Sequence, residues 1–389
     1  MRINAVAHHN TVFHQVLSNI PWGHFDSLVE RHEADKGVRR LDSRTHLTAM
    51  LFHQFSPSGG LRPLIDAFNS HGRRLHHLGC RKVSRSTLSD ANSARPHGVF
   101  SDLLAALIGR AHGELAAKAR ACLFLIDSTT MRLNQLSGAW SRFSEGVHGV
   151  KAHIIYDADA LCPIHAVITP ENVNDITSAK EMPIHAGATY VFDLGYYDYG
   201  WWARLDAADC RIVTRLKINT PLREIGERLV EPGGAVLSDR TGLLPQRQAN
   251  NRRNPMHRRV REVRIRIETG RILRLVTNDL TSPPETIADL YKRRWAIELF
   301  FRWVKQTLRI RHFVGVSESA VRIQIAVALI AFLLLRLARG RLTIAIAPLA
   351  FATLVKTNLM HRRTLRDLLG LPEETPRWRD DRQGDLAWA

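Results

Sequence analysis

Cysteine is scarce in this chain. The four residues Cys80, Cys122, Cys162 and Cys210 lie far apart in 389 and form no CxxC pair. That argues against a zinc centre or a disulfide framework and fits a reducing cytosol. Acidic residues are also short: 37 Asp and Glu against 55 Lys and Arg give a formal charge of +18 and a pI near 10.5. Such a surplus points to a polyanionic partner, nucleic acid before a membrane surface. The N-terminal MRINAVAHHNTVFHQV is too polar for a signal peptide. The longest apolar run, 325–335, is too short to span a bilayer and is flanked by Arg322, Gln324, Arg336 and Arg339. It reads as a buried core helix, and no membrane is expected. There is no internal repeat and no low-complexity tract. The length, with 45% hydrophobic residues, suffices for two or three domains and a sizeable core.

Residues 1–118 read as helical. Segments 11–20 and 25–31 are short amphipathic pieces, Ser43 is a candidate N-cap for 44–55, and a turn at 56–60 precedes 61–68. A basic run (Arg73, Arg74, His76, His77, Arg81, Lys82, Arg85) leads into Ser84-Arg85-Ser86-Thr87-Leu88-Ser89. Hydroxyls there suit a helix N-terminus, whose free N–H groups receive phosphates well. The segment reads equally as a helix-turn-helix that reads DNA or as a bundle with a solvated basic loop. Residues 96–118 look like a long linking helix.

The pattern then turns to strands. ACLFLI at 121–126 is a continuous apolar run, as a buried central strand requires, and it ends on Asp127. Taken alone, Asp127 is a cap or a catalytic carboxylate. Segments 151–156 and 163–169 form a hairpin turned at Asp157 and Asp159. Asn174 and Asp175 cap a short helix through Glu181. A short strand at 189–192 ends on Asp193, which is preferred over Asp198 because it sits directly at the strand end, and 211–217 is a further strand. Between 217 and 284 the chain looks β-rich, with a strand at 263–267 paired to 272–277 across Glu268-Thr269-Gly270. Residues 250–266 carry seven arginines, among them Arg258 and Arg259, which read as phosphate contacts or a solvated loop.

Pro283-Pro284 open a helix predicted over 284–309. At about 100° per residue, Tyr291, Arg294, Glu298 and Lys305 share roughly a 60° arc, beside an apolar stripe of Ile297, Phe301, Val304 and Leu308. Such a face is a solvated charged surface with an i,i+4 pair, or a metal-and-phosphate site. A second, buried helix is expected over 321–339, and a last helical stretch from Pro348 to about 369. RWRDDRQGD near the end reads as a polar tail.

The spacing Tyr-(2)-Arg-(3)-Glu-(6)-Lys resembles the signature of the DDE transposases of bacterial insertion sequences, in the branch called insertion sequence four. FDLGYYDYGWW, at 192–202, resembles that family's second-Asp motif. The element order, two Asp-bearing strands about a hairpin and a later helix bearing Glu298, is that of the RNase H-like fold. The resemblance implies an α/β protein: an all-α N-terminal DNA-binding domain (1–118), an RNase H-like catalytic domain (119–340) with a β-rich insertion at about 218–284, and a C-terminal helical segment and tail (341–389). It implies that Asp127, Asp193 and Glu298 hold two Mg²⁺ ions, with Mn²⁺ as a substitute, Asp127 bridging them. Arg294, Lys305 and Tyr291 are then phosphate contacts near the cut. Arg85 of the N-terminal module and Arg258 and Arg259 of the insertion are further DNA contacts. The expected activity is cut-and-paste transposition at terminal inverted repeats, in the bacterial cytoplasm, by at least a dimer on double-stranded DNA. A nuclease or resolvase without strand transfer and a non-enzymatic DNA-binding regulator are the alternatives.

Overall fold

The computed structural model describes residues 11–56, 59–116, 122–144, 147–247, 252–308, 310, 313–342 and 346–372. The tail RWRDDRQGD lies outside them. So do Lys118, Ala121, Asn250, Arg309 and His312, at which expected elements began or ended. The protein is a mixed α/β structure with helices at its N-terminus and a large sheet.

Among the described residues ten strands make the sheet: β1 (Leu123–Arg132), β2 (Arg142–Ser144), β3 (Val147–Asp157), β4 (Cys162–Pro170), β5 (Thr189–Val191), β6 (Arg211–Arg215), β7 (Arg223–Arg228), β8 (Val236–Leu243), β9 (Arg259–Arg266) and β10 (Ile272–Thr277). Their order is β2-β3-β1-β5-β6-β10-β9-β8-β7, with β4 also paired to β3. Strand β1 is central and buried on both faces. Leu123 and Leu125 join one hydrophobic cluster, while Phe124 and Ile126 join the other across the sheet. This two-sided burial is why residues 123–126 are apolar without alternation.

The strand does not stop at Asp127, as its apolar run suggested, but continues to Arg132. Antiparallel β3 pairs with β1 along that whole length, from Phe124↔Asp157 to Arg132↔Gly149. Parallel β5 is shorter and pairs only from Leu123↔Thr189 to Leu125↔Val191. Beyond that point β1 and β5 part. Extending the register by two residues sets Asp127 opposite Asp193, so both carboxylates stand in the fork between the diverging strands.

The β-rich stretch before residue 284 extends this same sheet, because β10 pairs antiparallel with β6 from Leu275↔Arg215 to Thr277↔Val213. The 263–267/272–277 hairpin forms with Gly270 at φ 79°, a left-handed turn that favours glycine. Not all of its arginines face solvent. Arg261 is fully buried against Asp239, and Arg264 pairs with Glu262.

The helix predicted over 284–309 is two, Pro284–Arg293 and Trp295–Thr307. At the joint the chain tightens to i→i−3 bonds, Arg294 N–H to Tyr291 O (3.1 Å) and Ile297 N–H to Arg294 O (3.2 Å). The predicted stripe is buried as expected: Ile297, Phe301, Val304 and Leu308, together with Phe300. The apolar helix is Glu318–Arg341. It is long and apolar enough to cross a membrane, but it is mostly buried within the protein. It packs on the N-terminal helices Ser43–Phe55, Arg85–Ala94 and Gly98–Ala116. Asp42, rather than Ser43, caps the first of these by accepting the Thr45 N–H at 2.6 Å, and Ser84 caps the second through the Thr87 N–H. The last helical stretch is broken: Pro348–Thr357 ends at Asn358, and Thr364 starts Leu365–Leu368 with a capping box.

Candidate active site

The fork between β1 and β5 is closed on one side by the Trp295–Thr307 helix. Asp127 lies on the same face of β1 as Leu125, toward the cluster that contains Ile297, Phe300 and Phe301. Its Oδ1 accepts the Ser128 N–H at 2.8 Å. Its Oδ2 receives Arg294 Nη1 at 3.3 Å, and Arg294 Nη2 donates to Glu298 Oε1. One guanidinium thus ties together two carboxylates distant in sequence. The helix break sets Arg294 at the joint, one turn before Glu298. Tyr291 stands behind it, with the guanidinium 5.9 Å from the ring centroid.

The electrostatics are unbalanced. Burial first, and then the charges of Asp193 and Glu298, push the Asp127 carboxyl up to about 6, against the Ser128 N–H and Arg294. Arg294 loses solvation on burial, but Tyr291, Glu298 and Asp127 outweigh that and hold it above its usual range. Burial raises the Tyr291 phenol, so it stays a hydrogen-bond donor. Asp193 follows β5 and accepts the Gly195 N–H at 2.8 Å. Asp198 is engaged apart from this group, capping helix Tyr199–Ala207 through the Trp201 N–H and pairing with Lys180.

The structure therefore gathers Asp127, Arg294 and Glu298 directly, with Asp193 and Tyr291 beside them. Among the described residues no three His, Cys, Asp or Glu side chains converge closely enough to hold a metal ion as they stand. Arg294 fills the place between two of them. Lys305 points elsewhere: its Nζ donates to the Thr130 carbonyl at 2.9 Å and so ties the helix to β1. Arg85 and Arg259 are exposed on other elements, and Arg258 pairs with Asp206 while remaining more than half exposed.

One acidic residue does more than its place in the sequence suggests. Asp175 resembles a cap, but its side chain makes no cap bond and turns instead to β1 and β3. It accepts Ser128 Oγ at 2.9 Å and Lys151 Nζ at 3.1 Å. Only the alternation on β1, which puts Ser128 on the face opposite Asp127, could have hinted at this.

Residues 118–334 match the family model described as a Transposase DDE domain, and residues 8–81 match a domain of unknown function, DUF4372. A transposase-named protein of Sinorhizobium fredii, y4zB, is 38% identical over 299 residues, 76% of this chain and 83% of that protein. A transposase-named protein of insertion sequence element IS5377 from Geobacillus stearothermophilus is 31% identical over 271 residues, 68% of this chain and 70% of its own. Among solved structures, the piggyBac transposase synaptic complex with hairpin DNA overlaps 99% of this chain and 90% of that one, with a TM-score of 0.49 at 11% identity. The family match and the two sequence relatives carry the conclusion: the chain belongs to the DDE transposases, enzymes that cleave DNA and transfer its strands.

Proposed function

We propose that this transposase acts by cut-and-paste at the terminal inverted repeats of its own insertion sequence. It would do so through an RNase H-like core in which Asp127, Asp193 and Glu298 hold two divalent ions. The strand order β4-β3-β1-β5-β6, with only β3 antiparallel to both neighbours, supports that core. The observation that carries the reading is the single Arg294 guanidinium bridging Asp127 and Glu298 at the mouth of the β1/β5 fork, beside Asp193.

The DDE family uses divalent metal ions, and the residues here fit them. Every donor is a carboxylate oxygen, the ligand type Mg²⁺ prefers and Mn²⁺ accepts. One arginine also leaves the surplus of negative charge around Asp127 uncompensated. Bound there, the ions would polarise the scissile phosphate and make the attacking hydroxyl a stronger nucleophile.

The chain's own residues do the rest. The Ser128 N–H holds the Asp127 carboxylate in one orientation. Arg294, released from the carboxylates, has its planar fork available to a phosphate oxygen, and the Tyr291 hydroxyl can donate to another. Lys305 holds the helix against β1 and adds positive charge beside the path of the DNA backbone. Arg85 on the N-terminal helix and Arg258 and Arg259 on the insertion are assigned to the DNA flanking the cut. We assign the working form to a homodimer, because two ends must be cut together.

The test uses DNA carrying the element's ends, a target plasmid and Mg²⁺. Joined end-target products are expected. Asp127→Ala and Glu298→Ala should abolish cleavage yet still bind the terminal repeats. Cleavage without joining would favour a nuclease, and cleavage surviving either substitution would overturn the site.

A further inference from the structure

The face of β1 opposite Arg294 holds a group of polar side chains that three carboxylates leave unexplained. Asp175 begins the helix Asp175–Glu181, and its two oxygens are used very differently. Oδ1 accepts Ser128 Oγ at 2.9 Å and Lys151 Nζ at 3.1 Å, with His153 Nδ1 at 3.7 Å. Oδ2 makes no hydrogen bond among the described residues. A Cβ placed on Gly195 would stand 3.3 Å from Asp175 Oδ2 and 3.0 Å from Asp193 Oδ1. The two oxygens thus border one small space, and a side chain at 195 would fill it.

A second, independent feature points into the same place. Tyr196 is fully buried, yet its hydroxyl completes no hydrogen bond. It faces Asp175, Asp127 and Asp193. Burial first, and then those three charges, hold its phenol well above the usual range against the nearby Ser128 hydroxyl, so it remains a protonated donor. Native interiors rarely leave a buried hydroxyl orphaned, and such a group commonly marks an ion or ordered water. On the β3 side, His153 Nδ1 is also buried and completes no hydrogen bond. Lys151, bonded to Asp175 Oδ1 and to the Val173 carbonyl, holds the carboxylate by that oxygen and leaves Oδ2 to the space beside Gly195.

We propose that Asp175 is a fourth carboxylate of the active site: its Oδ2 would help Asp193 hold a divalent cation, with the Tyr196 hydroxyl as a nearby donor. The inference rests on the three-carboxylate reading above and adds to it. Lys151 and Ser128 are then positioning residues for Asp175.

Mn²⁺ binding by the full-length protein without DNA, followed by electron paramagnetic resonance, tests this apart from activity. Asp175→Asn should weaken Mn²⁺ binding about tenfold or more, with circular dichroism unchanged. Lys151→Met removes the positioning ammonium but keeps the carboxylate, so its loss should be clearly smaller than that of Asp175→Asn. Equal losses in both variants would make Asp175 only the partner of Lys151 and overturn the proposal. Should Asp175→Asn not fold, Tyr196→Phe replaces it, with a smaller but measurable loss expected and no change overturning the assignment. Unchanged binding in Asp175→Asn, where Asp193→Asn abolishes it, would refute the fourth carboxylate and leave the other three standing. Binding unaffected by both Asp175→Asn and Asp193→Asn would overturn the two readings together.

Discussion

Of the arginines that pair with aspartate, Arg261 and Arg294 do opposite things. Arg261 on β9 meets Asp239 on β8 in a two-pronged pair, Nε to Oδ1 and Nη2 to Oδ2, both at 2.7 Å. Both side chains are essentially without solvent exposure, and Arg261 Nη1 finishes its bonding on the Ser282 carbonyl. One positive charge meets one negative charge, and the donors are spent. Arg294 instead faces two carboxylates with a third nearby, and all three of its group are partly exposed. The balanced pair fixes where the insertion hairpin lies. The unbalanced cluster keeps a demand for positive charge that the fold does not meet. Charge stoichiometry and exposure, more than residue type, separate a structural bridge from a reactive site.

The largest effect expected from this contrast is in Glu298→Gln. It keeps the helix and the shape of the site but removes one of the charges, and strand cleavage should fall by on the order of 10³-fold or more in a Mg²⁺-dependent assay. Stability should change little. Activity within about tenfold of wild type would place the chemistry elsewhere.

Arg261→Ala should show the reverse. It strands Asp239 as a buried, unpaired charge and should cost about 3–5 kcal/mol in urea unfolding. Pairing Arg261→Met with Asp239→Leu should recover most of that loss, since apolar groups of similar volume often replace a buried ion pair without penalty. Failure of the double variant to recover would mean that the pair sets the hairpin register as well.

The raised Asp127 carboxyl gives a stability effect of intermediate size. Its folded pKa, about 6, lies above its ordinary value of 3.8, so folding favours the protonated form. That contribution is complete below about pH 4 and is lost as pH rises through 6. Asp127→Asn, which cannot ionise, should therefore exceed wild type in stability at pH 8 without divalent ions, by on the order of 1–3 kcal/mol, with the gap closing toward pH 4. Thermal melts at the two pH values check it. A gap independent of pH would mean that the Asp127 carboxyl is not held up by burial and its acidic neighbours.

The smallest effect belongs to Arg258. It is more than half exposed, so Arg258→Ala should cost only about 0–1 kcal/mol of stability. If the residue also meets phosphate, end-DNA binding should weaken and its log-log salt slope should fall by about 1. An unchanged slope would leave Arg258 as a structural partner of Asp206.

Much of this contrast is legible in the sequence, and some of it is not. Asp127, Asp193 and Glu298 stand out because two apolar strand-like runs and one amphipathic helix each end on or carry an acid. Extending the β1/β5 register by two residues sets Asp127 opposite Asp193, and Glu298 lies one guanidinium away from Asp127. The seven arginines at 250–266 look alike in sequence. Only the packing puts Arg261 inside, leaves Arg258 against Asp206 and draws Arg264 to Glu262. Asp175 is hidden for a related reason: at the start of a helix it resembles a cap, and its true partners come from β1 and β3. The helix break at Arg294 is also illegible, because no glycine or proline marks it and two carboxylates from different parts of the fold meet there.

Sequence alone determined the family, the strands with continuous apolar runs, the amphipathic stripe of the Glu298 helix and the excess of basic charge. These depend on residue type and spacing along the chain, which local sterics and hydrophobic periodicity translate directly. The tertiary structure decided where β5 leaves β1, which arginines are neutralised, and which side chains crowd the fork between the strands. Those depend on the distance between groups far apart in sequence, and electrostatic energy follows that distance and the local exclusion of water, neither of which is written in the order of residues.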